Sequence, residues 1–275
     1  MATASIRPAA VAGQFYPNNP KVLQAQIGEM LACAVPLEPV SSPKALIVPH
    51  AGYVYSGPVA ASAYATLGAL RDTIRRVVLL GPAHRVPVTG FALPAAQFFS
   101  TPLGLVPLSH SDWLALQARP DVVVDDHPHA FEHSLEVQLP FLQTVLDSFE
   151  LVPLVVGNAS PAAVADVLTQ LWGGPETLIV ISSDLSHYHS YSHAQATDRS
   201  TVGQILKMRA QLDHEQACGA TPVNGLIQAA SQQGLEPQLL DLRNSGDTAG
   251  DRARVVGYAS VAFCESPAHA PASRH

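Results

Sequence analysis

The chain has 275 residues, of which 47% are hydrophobic and 13% charged, which is enough apolar material for one large domain with its own core. A net charge of −7 without any longer basic run argues against nucleic-acid binding, and no apolar stretch is long enough to predict a membrane span. The N-terminus lacks the basic and apolar regions of a signal peptide, and the three widely spaced cysteines form neither a disulfide framework nor a zinc motif, so a cytoplasmic protein is predicted.

Apolar runs and helical spacings alternate along the chain. The first half is predicted to contain a helix at 21–34, a strand at 45–48, a helix at 60–70 that starts after Gly57 and Pro58, a strand at 77–80, short β pieces within 85–108, and helices at 112–118 and 132–147, the last interrupted at Pro140. The second half is predicted to contain strands at 151–156, 178–181, 239–242 and 255–263 and helices at 162–171, 194–212 and 222–233. This alternation predicts an α/β fold, with a single domain over residues 1–265 built on a central mixed, largely parallel sheet flanked by helices. Residues 266–275 are predicted to form a flexible tail.

Three of the predicted strands lead directly into polar side chains. The strand at 45–48 precedes His50, the strand at 77–80 precedes His84, and the strand at 178–181 precedes Asp184 and His187. In an open α/β sheet, ligands bind beyond the carboxyl ends of the strands. The pattern therefore predicts one polar pocket at that edge of the sheet.

His50 and His84 are the leading candidates for metal ligands. Imidazole is a common ligand of divalent transition metals, and two imidazoles with one carboxylate form the facial arrangement of non-haem Fe(II) enzymes. Asp247, in a Gly- and Asp-rich loop after the strand at 239–242, is the expected carboxylate, and Asp251 is a weaker candidate that fits a turn residue. The alternative is that each histidine only hydrogen-bonds a nearby carbonyl group.

Four residues are candidates for acid–base chemistry. If a helix begins near Phe131, His133 and Glu136 lie on one face at positions i and i+3, and they could move a proton or orient a ligand. Asp184 and His187 could supply acid–base groups at the same edge. The alternatives are a solvated helix start for the first pair and a cap of the next helix for the second.

Two residues are expected to contact the substrate. Tyr53 lies between Gly52 and Gly57, where backbone can approach a ligand closely. Cys218 precedes a predicted helix, where a thiolate would be stabilised, although a small buried residue is the common alternative in that setting. The sequence contains no dinucleotide fingerprint, P-loop, Gly-x-Ser-x-Gly or His-Glu-x-x-His motif, so those enzyme classes have little support.

Six segments in fixed order carry a resemblance to a known family: RPAAVAGQFYP at 7–17, VPHAGYVYSG at 48–57, LGPAH at 80–84, EHSLEVQLPF at 132–141, SSDLSHY at 182–188 and NSGD at 244–247. Together they resemble the Memo family, also called the AmmeMemoRadiSam system protein B family. The resemblance implies a fold similar to that of the class III (LigB-type) non-haem iron extradiol dioxygenases, with His50 and His84 at the family's metal-binding position. In the animal branch of the family, a cysteine supplies the third ligand from the loop matching 244–248; here Thr248 stands at that position, beside Asp247.

These observations predict a Memo-family protein that acts as a metal-dependent, dioxygenase-like oxidoreductase on a small aromatic or phenolic molecule. Fe(II) is the expected metal, with zinc or another divalent metal as the alternative. The resemblance also implies an association with AMMECR1-like or radical SAM proteins. Two other functions stay open: a non-catalytic module that binds a peptide or protein in the same pocket, and a hydrolase that uses a metal-bound water.

Overall fold

The structure is a computed structural model that describes residues 5–34 and 42–265. Its strands are β1 (Ile6–Arg7), β2 (Pro43–Val48), β3 (Arg76–Pro82), β4 (Phe91–Leu93), β5 (Phe98–Thr101), β6 (Gly104–Pro107), β7 (Val122–Val124), β8 (Glu150–Val156), β9 (Thr177–Ser182), β10 (His187–His189), β11 (Leu235–Asn244) and β12 (Val255–Glu265). Its α-helices are α1 (Pro20–Cys33), α2 (Tyr53–Tyr64), α3 (His110–Gln117), α4 (His127–Ala130), α5 (Leu139–Val145), α6 (Pro161–Gln170), α7 (Tyr191–Leu206), α8 (Ala220–Gln232) and α9 (Ser245–Thr248). Short 3-10 helices cover Ala65–Leu70 and Glu136–Gln138.

A large mixed sheet forms the centre of the fold. Its strands lie in the order β12-β2-β9-β3-β8-β4-β7, and both β10 and β11 pair with β12. The central strands β2, β9, β3 and β8 are mutually parallel, whereas β4, β10, β11 and β12 join the sheet by antiparallel pairing. A separate small sheet has the order β1-β5-β6. The predicted mixed, largely parallel sheet is confirmed.

The three strands that precede the polar residues are neighbours in this sheet. Val48 of β2 pairs with Ser182 of β9, and Leu80 of β3 pairs with Ile181 of β9, so the three strands end at the same level. Their side chains are buried on both faces, because one apolar cluster contains Leu46 and the other contains Ile47. Burial on both faces explains the continuous apolar runs in the sequence. The predicted common edge is confirmed.

The helix after β2 begins earlier than predicted. The Gly57-Pro58 pair was expected to start it, but α2 begins at Tyr53 and Pro58 lies inside it. The Tyr53 amide donates to Phe15 O at 2.7 Å, and the Ser56 hydroxyl donates to Ala51 O at 2.8 Å. These contacts fix the turn after His50 and start the helix there.

The predicted helix over 132–147 is confirmed only in its second half. Helix α4 ends at Ala130, a 3-10 turn covers Glu136–Gln138 and α5 begins at Leu139. Between them, the Glu132 carboxylate accepts the amides of His133 and Ser134, both at 3.0 Å, which holds this stretch as a turn. His133 and Glu136 therefore do not share a helical face.

Two further expectations concern the ends and the surface of the fold. The predicted tail at 266–275 lies outside the described residues. Within the described residues, none of the helices combines the length and the apolar character that crossing a bilayer requires.

Candidate metal centre

Three histidines converge at the carboxyl edge of the central strands. One ring nitrogen each from His50, His84 and His133 lies within 4.8 Å of the other two. The ring centroids are 5.1 Å apart for His50 and His84 and 4.7 Å apart for His84 and His133. His50 is buried at 2% exposure, His133 is half-buried and His84 is the most open to solvent. The cluster can therefore be reached from outside, while its innermost histidine is shielded from solvent.

The hydrogen bonds around His50 define which of its nitrogens is available. The Ser182 hydroxyl donates its only hydrogen to Ser134 O at 2.5 Å and accepts the Gln138 Nε2 donor at 2.8 Å. Its contact with His50 Nδ1 at 2.9 Å must therefore be donated by the imidazole. This leaves the lone pair on Nε2. Burial, together with neighbouring His84 and His133, lowers the pKa of His50 well below its usual value, so the ring is neutral at pH 7.

His84 is held by a buried carboxylate. Its Nδ1 lies 2.9 Å from Glu132 Oε1, and its backbone amide donates to Glu132 Oε2 at 2.7 Å. A carboxylate accepts only, so Nδ1 carries a hydrogen and Nε2 is the free atom. Burial acts to raise the pKa of Glu132, but the hydrogen bonds from the His84 ring and from backbone amides outweigh it and lower the pKa to about 2. A carboxylate that orients a histidine in this way is typical of metal sites.

His133 completes the cluster from the irregular segment before the 3-10 turn. Its ring lies 4.7 Å from the ring of His84 and 4.7 Å from the ring of Phe15. Its Nδ1 is buried, lies 3.3 Å from Glu132 Oε1 and has no hydrogen-bond partner. Burial lowers the pKa of His133, which favours the neutral, lone-pair-bearing ring.

The donor set fits a transition metal. Neutral imidazoles suit zinc, copper, iron and nickel, and three of them leave positions open for other ligands. Two of the rings have their second nitrogen committed to a hydrogen bond, and a buried nitrogen of the third ring has no partner. An uncharged cluster of imidazole nitrogens within 4.8 Å of one another can therefore accommodate a cation.

Asp184 and Cys218 lie next to the innermost histidine. Asp184 Oδ1 accepts the His50 amide at 2.7 Å, and its Oδ2 lies 3.9 Å from His50 Nε2. Burial raises the pKa of Asp184, although the hydrogen bond from the His50 amide opposes this. The Cys218 sulfur lies 3.3 Å from His50 Nε2, and burial raises the pKa of its thiol to about 12. Asp184 and Cys218 thus lie within reach of whatever the cluster binds.

Asp247, expected as the third ligand, has a different position. Its Oδ2 accepts the Asn244 amide at 2.9 Å in a capping box at the start of α9, and its Oδ1 accepts the Tyr191 hydroxyl at 2.5 Å. It does not belong to the group of ligand atoms around His50 and His84. An Asp three residues after an Asn N-cap satisfies the cap backbone in this way, which accounts for its place in the sequence.

Three other predicted site residues lie around the cluster in different surroundings. The Glu136 carboxylate is fully buried and accepts the Val11 amide and the Tyr16 hydroxyl. Tyr53 is 3% exposed and donates its hydroxyl to Val137 O at 2.6 Å, so it belongs to the core rather than to the open side of the site. His187 in β10 is half-buried and acts electrostatically on both Asp184 and His50.

Glu132 is the residue that sequence reasoning missed. Its two oxygens accept four donors, which come from the backbone of residues 84, 133 and 134 and from the His84 ring. The available signal was an acidic residue directly before a histidine, at the end of a predicted loop. That signal indicated a helix start and gave no reason to connect Glu132 with a strand some fifty residues earlier.

Comparison with known proteins identifies the family. A family profile described as Memo-like protein matches residues 7–262. Proteins named MEMO1 family protein from Sulfolobus acidocaldarius and Aquifex aeolicus are 33% and 34% identical to this chain, and each alignment covers 94% of this chain and 99% of the relative. A MEMO1 family protein from Methanopyrus kandleri is 36% identical, with 94% of this chain and 98% of the relative covered.

Among solved structures, an uncharacterized protein from Escherichia coli K12 superposes with a TM-score of 0.52 at 16% identity, covering 79% of this chain and 98% of that chain. At that identity, the likeness concerns the fold alone. The profile match and the relatives, in contrast, extend over almost the whole sequence. The chain belongs to the Memo family.

Proposed function

We propose that this protein is a metal-dependent oxidoreductase that acts like a dioxygenase on small phenolic molecules, with Fe(II) held by His50, His84 and His133. The observation that carries the proposal is the convergence of three imidazole nitrogens within 4.8 Å, two of them with their protonation fixed by partners. Bound iron would supply sites for oxygen and for a deprotonated phenol, and three neutral imidazoles favour such an anionic ligand because they bring no negative charge of their own.

The surrounding residues suit proton handling at this site. Asp184 is buried with a raised pKa beside His50 Nε2, so it can hold a proton removed from a substrate hydroxyl. His187 acts electrostatically on Asp184 and lies nearer to solvent, which suits transfer of that proton outward. The ring of Phe15 covers one side of His133 and offers an apolar contact for an aromatic substrate.

A second candidate function is hydrolysis by a zinc-bound water. The specific observation in its favour is that the cluster consists of three histidines without a carboxylate, a set that holds the zinc and its activated water in carbonic anhydrase. The two candidates share the same ligands and differ in the metal and in the need for oxygen.

Anaerobic purification followed by metal analysis and metal titration tests the shared site. We expect one Fe(II) or Co(II) to bind per chain, and H84A to weaken binding by two orders of magnitude or more. The matched control is H110A, because His110 lies at the start of α3, stacked on Trp113, outside the cluster. Equal metal binding by wild type and H84A would refute the assignment of the site.

Oxygen uptake over a panel of catechols and other phenols separates the candidates. We expect uptake that requires added Fe(II), disappears in H84A and persists in H110A. Ester or amide hydrolysis that requires zinc and no oxygen would instead support the second candidate. A protein that binds no metal and turns over nothing would refute both and would favour a non-catalytic binding module.

A further inference from the structure

A single buried carboxylate accepts several hydrogen bonds from the N-terminal segment of the chain, here defined as residues 7–16. Glu136 is 0% exposed. Its Oε2 accepts the Ala10 amide at 2.7 Å and the Arg7 guanidinium, and its Oε1 accepts the Val11 amide at 3.0 Å and the Tyr16 hydroxyl at 2.6 Å. All four donors come from the N-terminal segment. A buried carboxylate with four donors is expensive to leave unpaired, so this junction is held tightly.

The same junction reaches the segment that carries the metal-site residues. Besides its contact with Glu136, Arg7 donates from Nε to His129 O at 2.9 Å and from Nη2 to Glu132 O at 2.7 Å. Arg7 is 5% exposed, so these hydrogen bonds are shielded from water. The guanidinium therefore fixes the backbone of Glu132, the residue whose carboxylate orients His84.

The N-terminal segment also touches the other two histidine-bearing elements. Phe15 O accepts the Tyr53 amide, which anchors the turn after His50, and the Phe15 ring lies against His133. Gly52 lies close by, since a Cβ added there would come within 3.5 Å of Phe15 O. One segment thus contacts the surroundings of all three histidines.

We propose that Glu136 is a positioning residue for the histidine cluster, which it fixes by locking Arg7 and the N-terminal segment against residues 129–133. The proposal rests on the proposed metal site. It differs from the role first expected for Glu136, because the carboxylate acts through Arg7 and the N-terminal segment rather than by orienting His133 directly.

The expected consequence is a loss of metal affinity without a direct contact to the metal. Residues that orient metal ligands typically change affinity by about 10-fold to 100-fold when replaced. Replacing Glu136 by glutamine removes the charge that pairs with Arg7 and turns one acceptor into a donor that faces other donors. We expect E136Q to bind Co(II) about 10-fold more weakly, and Y16F, which removes one of the four donors, to lose less.

The matched control is D112N. Asp112 also accepts a partly buried arginine, Arg76 Nη1, at 2.9 Å, and it accepts the Ser109 hydroxyl at 2.7 Å. Arg76 lies at the first residue of β3, whereas His84 follows its last residue, so the pair is about 20 Å from the cluster. D112N is expected to lower stability while leaving Co(II) affinity at the wild-type value.

Two measurements on the full-length chain test the proposal. Co(II) titrations of wild type, E136Q, Y16F and D112N are made at a temperature at which circular dichroism shows every variant folded. Amide hydrogen exchange of the metal-free proteins is followed in parallel. We expect exchange in E136Q to become faster both at 7–16 and at 129–134, and exchange in D112N to stay unchanged in these two segments.

The two readouts separate the possible failures. If E136Q loosens residues 7–16 but leaves exchange at 129–134 and Co(II) affinity unchanged, Glu136 only anchors the N-terminal segment and the proposal is overturned. Should D112N lose as much affinity as E136Q, the effect is general destabilisation, which also overturns it. If wild type binds no Co(II), the proposed metal site fails, while faster exchange at 129–134 in E136Q still supports the positioning contact.

Discussion

The exchange Glu132→Gln tests the hydrogen-bonding centre of the site most directly. The carboxylate is 2% exposed and accepts the amides of residues 84, 133 and 134 and the His84 ring. Glutamine has the same shape but only one acceptor oxygen, and its amide nitrogen would face the His84 amide if it replaced Oε2 and three donors if it replaced Oε1. The perturbation therefore removes charge and hydrogen bonding while leaving the packing volume nearly unchanged.

The magnitude follows from the pKa of Glu132, which the folded protein lowers from its ordinary 4.5 to about 2. Because the folded pKa is depressed, the stabilisation is complete above the unfolded pKa and disappears as the pH falls through the folded value. A difference of this size corresponds to roughly 3 kcal/mol at pH 7. The remaining contribution at pH 3 is about 1 kcal/mol.

Urea unfolding of wild type and E132Q at pH 7 and pH 3 measures both values. We expect the free energy of unfolding to fall by about 3 kcal/mol at pH 7 and by about 1 kcal/mol at pH 3 in E132Q. E29Q, on the exposed face of α1, serves as the control and should match wild type at both values of pH. An equal loss for E132Q at pH 7 and pH 3 would show that charge is not what stabilises this turn.

Three further changes probe the neighbourhood of the cluster. G81A places a Cβ 2.8 Å from the Ser134 hydroxyl, so the free energy of unfolding measured by thermal denaturation should fall by about 1–3 kcal/mol. Unchanged stability would contradict the close contact. D247A should lower the free energy of unfolding by about 1 kcal/mol because the cap is lost, while Co(II) affinity stays at the wild-type value. A large loss of Co(II) affinity would show that Asp247 is a metal ligand after all. C218A frees the His50 Nε2 lone pair from a weak thiol hydrogen bond, so Co(II) affinity should rise by about 2-fold, and weaker binding would indicate that the sulfur itself is a ligand.

The sequence predicted where the site lies better than it predicted which residues form it. Apolar runs buried on both faces predicted β2, β3 and β9, and the rule that parallel strands present ligands at their carboxyl ends placed His50, His84 and Asp184 at one edge. The sheet determines where residues near the strand ends lie, and its central strands can be recognised from local apolar patterns. This is why two of the three clustered histidines could be found without any structure.

The edges of the sheet were harder to predict for the same reason. Strand β10 is only three residues long, is irregular in register against β12, and contains Tyr188 with a φ of 61°. Its sequence, His-Tyr-His, has none of the apolar alternation that marks a strand. Pairing with β12 forms it, and that pairing is a tertiary contact that no short window of sequence contains.

The sequence predicted Asp247 for the cluster, whereas the structure places His133 there. Asp247 was interpreted as a carboxylate in a loop, but Asn244 and Asp247 form a capping box that holds the side chain at the start of α9. His133 was interpreted as part of a helix, but the Glu132 carboxylate accepts its amide and lies 2.9 Å from the His84 ring nitrogen, so the chain around His133 forms a turn next to His84. Glu132 accepts hydrogen bonds from the His84 ring and from the amides of the two residues that follow it. It builds a turn whose next residue joins the cluster, and the Glu-His-Ser run at 132–134 is therefore as informative for the site as the two strand-end histidines themselves.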